Sequence, residues 1–196
     1  MKFKIKVNRN VRIFLFSDVL YWTASTVIST FLSVLVVEKI APGRLDAVGL
    51  VTAVYLFCRA VAELPASIIS TKISPRVQIR IVAVCLVAYS LVIALLGFSQ
   101  YLWQLIALQI LLGVFDAIIN PIKWTNFSRL LDQSNEEFEW GLEDFIPSVT
   151  GAVAALAGGV MSERVGISQV FVGFAIFYAV SGLSYLFIKV KRGHTR

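Results

Sequence analysis

Residues 101–125, YLWQLIALQILLGVFDAIINPIKWT, decide how this chain must fold. The stretch is long and apolar enough to cross a bilayer, whose hydrocarbon core takes about 20 residues of helix. Yet it contains Gln109, Asp116, Asn120 and Lys123. Wound as a helix at about 100° per residue, these four and Gly113 fall on one face. A charge at mid-bilayer costs about 2.5–3.5 kcal/mol on insertion scales, so that face must meet protein or water rather than lipid. The stretch therefore reads as one wall of a multi-helix membrane assembly.

Five further spans surround it. They cover roughly residues 13–37, 46–71, 79–99, 140–161 and 167–189. Their connections are short, and the longest and most charged, FSRLLDQSNEEFE, lies between the fourth and fifth spans. No linker divides the chain, so residues 1–196 form one six-helix transmembrane domain, all-α. The start MKFKIKVNRNVR imitates a secretory leader, but the apolar run after it far exceeds the ~7–15 residues of a signal core and reads as an uncleaved anchor. Charged residues are 15%, hydrophobic residues 58%, and the mean hydropathy is +0.79. Soluble domains carry about 25% charge, so a soluble enzyme is excluded in favour of a membrane protein in contact with lipid.

The polar residues of the other spans also line up. The first carries Asp18, Trp22, Ser25, Ser29 and Ser33 on one face, and the second Thr52, Tyr55, Arg59, Glu63 and Ser70. The fifth carries Asp144, Ser148, Gly151, Ala155, Gly158 and Ser162. The third and sixth have no charge in their cores. Stripe, stripe, plain, repeated, predicts two three-helix units, with spans 1, 2, 4 and 5 inside and 3 and 6 outside. Fourteen of the 18 Lys and Arg, Lys123 among them, fall on one side of this arrangement; Lys39, Arg44 and Arg164 fall on the other, and Arg59 lies within a span. The positive-inside rule then places both termini in the cytoplasm. The basic residues bracket apolar runs without forming a patch, which argues against nucleic acid as a partner.

This pattern resembles one half of a Major Facilitator Superfamily transporter. The resemblance implies that helices 1 and 4 line a central cavity, helices 2 and 5 seal two six-helix halves together, and helices 3 and 6 stand outside. The family's loop between helices 2 and 3, Gly-x-x-x-Asp-Arg-x-Gly-Arg-Arg, is matched here only by SIISTKISPR: Lys72 and Arg76 keep basic positions, while Ser67 and Thr71 replace the glycine and aspartate. The arginine of the family's Arg-x-x-x-Gly in helix 4 is replaced by Gln109 before Gly113. The segment GAVAALAGGVMSERVG is similar to the family's glycine-rich helix 5.

Half a transporter encloses no cavity. The expectation is a parallel homodimer, with helix 2 packing on helix 5 of the second copy through Ala62 and Ala66 against Ser148, Gly151, Ala155 and Gly159. The basic tail KVKRGHTR suits either a natural end or a linker. The expected solute and ion pathway comprises Asp18, Trp22, Ser25, Arg59, Glu63, Gln109, Asp116 and Asn120. Arg59 and Glu63, four apart, form either a pair buried at a helix contact or a gating pair. Asp116 has no partner on its own helix and serves either as a proton or cation site or as a hydrogen-bond acceptor for another helix. Asp18, about one turn into its span, is within reach of Arg12 or interfacial water. Asn120-Pro121 either kinks its helix or opens the carbonyl of Ala117 to a ligand. Trp103, Trp124 and Trp140 read as interfacial anchors, and Trp22 as a cavity wall.

Two cysteines, Cys58 and Cys85, and the single His194 leave no disulfide framework, metal centre or cofactor site. GVFD at 113–116 lacks the second glycine of an intramembrane aspartyl protease, and no hydrolase, zinc or phosphate-loop motif is present. The function expected is transport of a small solute by alternating access, proton-coupled through Asp116, in the bacterial plasma (inner) membrane. A non-transporting membrane scaffold derived from a half transporter is the alternative.

Overall fold

A computed structural model describes residues 8–132 and 135–189. It contains α1 (Arg9–Leu35), running on through a π-helical turn (Val36–Ile40), then α2 (Leu45–Thr71), α3 (Pro75–Leu96), α4 (Leu102–Leu130), α5 (Glu136–Val165) and α6 (Ile167–Tyr185). All six are long and apolar enough to cross a membrane. Pro75 opens α3 where its missing N–H costs nothing. At the start of α4, Gln104 Oε1 accepts the backbone N–H of Tyr101 at 3.2 Å and of Gln100 at 2.8 Å. Gly166, at φ 92°, is the one residue between α5 and α6, a turn that a side chain would strain.

Several ends differ from the sequence reading. α1 begins four residues before position 13, and α4 runs five residues past position 125, unbroken through Pro121. The charged stretch between the fourth and fifth spans is mostly helix. Its acidic side chains suit the first turn of α5, where Glu136, Glu137 and Glu139 meet the positive end of the helix dipole. Glu139 also accepts the backbone N–H of Asp132 at 3.0 Å, pinning the short turn. The basic residues Lys2, Lys4, Lys6, Lys191, Arg192 and Arg196, and His194, lie outside the described residues.

The helices stand side by side in the order α5, α1, α6, α3, α4, α2. Each repeat's second helix packs on the first helix of the other repeat, α2 on α4 and α5 on α1, and the two third helices pack on each other. Two three-helix units related in this way account for the arrangement. α3 and α6 meet closely: a Cβ on Gly182 would stand 2.8 Å from the carbonyl oxygen of Ala83. Ser17 of α1 and Ser181 of α6 each donate to the other's carbonyl, at 3.0 and 2.8 Å. α1 and α4 face each other across the centre through long side chains, such as the stacked rings of Phe14 and Phe127 at 4.4 Å.

The inner and outer sets expected above concern two docked halves; burial within one chain runs differently. Buried residues make up 50% of the most apolar window of α3 and 44% of that of α6, but only 11% for α2 and 17% for α5. Within one chain the plain helices are central and the striped α2 and α5 are flanks. The physical reason is that α3 and α6 each pack on two neighbours, on each other and on α4 and α1, whereas α2 packs mainly on α4 and α5 mainly on α1.

Candidate functional site

Asp116 lies fourteen residues from each end of α4. At about 1.5 Å per residue that is ~21 Å from either end, as deep as the helix allows. The side chain is buried at 2% exposure. Tyr21 of α1 donates to Asp116 Oδ1 at 2.6 Å, and Tyr55 of α2 donates to Oδ2. Two hydroxyl donors replace the water this carboxyl group has lost. Tyr55 reaches it because Gly113 lets α2 touch α4. A Cβ at Gly113 would stand 2.7 Å from the carbonyl oxygen of Tyr55 and 3.0 Å from the nitrogen of Arg59. Behind Tyr21 the rings of Tyr178 (α6) and Tyr89 (α3) continue the cluster, with centroid separations of 5.5 and 4.8 Å. A cavity of about 160 Å³ adjoins it, lined by Ser25, Ser29, Thr52, Tyr55 and Gln109 among others.

Two turns along α4, Lys123 forms a second layer. Its ammonium pairs with Asp18 of α1, and the two side chains are 1% and 0% exposed. Lys123 Nζ lies 4.0 Å from the centre of the Tyr21 ring, 6.0 Å from that of Trp22 and 5.9 Å from that of Trp124. Glu143 of α5, 8% exposed, is buried on the α5 side of the same layer. The ammonium thus meets one carboxyl group inside an aromatic wall, which offsets the several kcal/mol per ion that burial costs. Asn120 sits between the layers, 4% exposed, with no hydrogen-bond partner for Oδ1 among the described residues. A further cavity of about 320 Å³ opens beside Glu143, bounded by Trp22, Thr26, Trp124 and Asp144.

Asp18 therefore meets Lys123, not Arg12 or interfacial water, and Lys123 does not belong among the surface charges. Both errors have one cause. The longer α1 and α4 carry these residues about two turns inside the bundle. Trp124 lies inside as well, its ring 5.9 Å from that of Trp140. Trp22 lines the cavity beside Glu143, and Ser25 and Gln109 line the one beside Asp116. Arg59 and Glu63 pair at 3.6 Å with side chains 34% and 40% exposed, so this pair is not sealed at a contact within the chain.

The residues expected at a dimer contact divide. Ser148 is exposed, Ala155 half-buried, and a Cβ on Gly159 would meet nothing within 4 Å. Ala62 and Ala66 are half-buried in an apolar cleft shared with Val114 and Ile118 of α4. Gly151 is a correction: it is buried against Thr26 of the chain's own α1, where a Cβ would stand 3.1 Å from the hydroxyl. α5 crosses α1 there, so a partner cannot reach it. Arg129 donates to Gln78 at 3.2 Å and Gln78 donates to the carbonyl of Ser70 at 2.8 Å, tying α4 to the turn between α2 and α3 without an aspartate.

Sequence reasoning missed Tyr21, Glu143 and Trp124, and it gave Tyr89 and Tyr178 no role. A usable signal existed for one pair. Asp18 is nine residues from the start of α1 and Lys123 seven from the end of antiparallel α4, at similar depth. Among the described residues no group of three His, Cys, Asp or Glu could hold a metal ion. No curated protein matches the chain in sequence. The profile of a family of membrane transporters, not enzymes, does match, over residues 14–196, and the chain belongs to that family, the Major Facilitator Superfamily.

Proposed function

We propose that two copies of this unit stand parallel in the membrane, termini in the cytoplasm, and carry a small solute by alternating access. One observation carries the reading: a polar face is left uncovered at mid-span. Ser29 of α1 and Thr52 of α2 are exposed on the wall of the cavity beside Asp116, and Thr26 of α1 and Ser148 of α5 on that of the cavity beside Glu143. Thr26 and Ser29 donate to carbonyls of their own helix, which leaves their oxygens to accept from water or a ligand, and a second copy docked along α2 and α5 turns the face into an enclosed, hydrated passage. In this reading Asp116 is the coupling group, opened and closed by Tyr55 as α2 moves against α4, and Asn120 Oδ1 is free to accept from the solute. The setting is the bacterial plasma membrane.

One feature favours a second reading of Asp116. Both its oxygens already accept tyrosine hydroxyls, which suits a structural knot as well as a proton carrier. Purified protein in vesicles, with a solute panel and an imposed proton gradient, separates the two. Asp116→Asn that keeps exchange of solute but loses the response to the gradient supports coupling. Loss of folding alone supports the knot. Absence of any gradient-driven or exchange flux, together with a monomer by mass in mild detergent, would overturn the transporter reading and favour a scaffold.

A further inference from the structure

We propose that the cavity between α1, α4 and α5 binds a small organic cation. Its volume, about 320 Å³, fits a ligand of a dozen or so heavy atoms rather than a bare ion. Trp22 and Trp124 offer indole surface, and Glu143 and Asp144 supply the acidic groups of the lining. Glu143 is 8% exposed, and among the described residues neither carboxyl group has a basic side chain at ion-pair distance. The basic group nearby, Lys123, is neutralised by Asp18 and is too deeply buried to receive an anion. The same wall already demonstrates the chemistry: the Lys123 ammonium rests among Tyr21, Trp22 and Trp124 beside a carboxylate. Indole faces attract a cation whose charge is spread over carbon. A bare divalent ion wants six to eight oxygens, more than this lining offers. Thr26 and Ser148 add hydroxyls at the rim for a substituent of the ligand.

As a substrate assignment this rests on the transport reading; as a binding site it stands alone. The test is calorimetric titration of the purified full chain in mild detergent with benzyltrimethylammonium, and with benzenesulfonate as the probe of opposite charge. The cation binds and the anion does not. Asp144→Asn, at an exposed side chain, weakens the cation about three- to tenfold, Glu143→Gln about tenfold or more, and Trp22→Leu about three- to tenfold, tenfold being about 1.4 kcal/mol. Equal affinity for both probes, or an unchanged affinity in Asp144→Asn and Trp22→Leu with normal melting, overturns the site. Cation binding without flux in vesicles sinks the transport reading and leaves the site standing. Flux of other solutes without cation binding does the reverse.

Discussion

Removing Lys123 tests the buried layer most sharply. Lys123→Met strips the ammonium from Asp18, a carboxyl group that is 0% exposed. Breaking a buried pair from one side costs about 3–5 kcal/mol, because the remaining charge has neither water nor partner. Asp18→Asn is milder, about 1–3 kcal/mol, since Glu143 stands ready to take over the ammonium. The double variant removes both charges, so its cost falls short of the sum by ~2 kcal/mol or more. For a chain of this size one kcal/mol moves Tm by about 2–4 °C, so Lys123→Met should melt roughly 6–20 °C lower. Thermal unfolding in mild detergent, followed by tryptophan emission, reads this directly because Trp22 and Trp124 flank the pair. If the two single variants were equally damaging and their effects added within about 0.5 kcal/mol, Asp18, Lys123 and Glu143 would not be a coupled set.

Other substitutions probe the remaining contacts. Gly113→Val drives a side chain into the backbone of Tyr55 and Arg59, so it should cost about 1–3 kcal/mol and lower flux by detaching Tyr55 from Asp116; melting and vesicle uptake check it. Tyr21→Phe removes one donor from Asp116 and should cost about 1–3 kcal/mol, read from the same melting curves. Gly182→Ala, set against the backbone of Ala83, should destabilise by about 1–3 kcal/mol. Gly159→Leu points into open space in a single chain, so the monomer should melt normally while crosslinking between copies falls; intact crosslinking would remove Gly159 from the contact.

The six spans were legible because length and apolarity suffice to find them, and Asp116 was legible because a carboxyl group in such a run has few explanations. Its partners were not. Tyr21 counts as apolar in a periodicity reading and Tyr55 stood in a stripe with no partner assigned; their hydroxyls matter only once α1, α2 and α4 are placed together. Lys123 was misplaced because helix ends are set by local turns: α4 runs on to Leu130, and five residues of extra helix turned a surface charge into a buried one. Gly151 and Gly159 were expected at one contact, yet the first fills on α1, as Gly158 does, while Gly159 meets nothing. Small residues permit close approach, but they do not say to which neighbour.

The Asp18–Lys123 pair also sets a problem of timing. The two residues are 105 positions apart, so α1 leaves the ribosome long before α4 exists. At about 5–20 residues per second, the carboxyl group waits roughly 5–20 s for its ammonium. During that interval the first helix must be shielded by the insertion machinery or carry its acid in neutral form. Biogenesis of this protein is therefore governed by the arrival of its fourth helix, and a nascent chain halted before Lys123 should remain extractable from the bilayer where one halted after Leu130 does not.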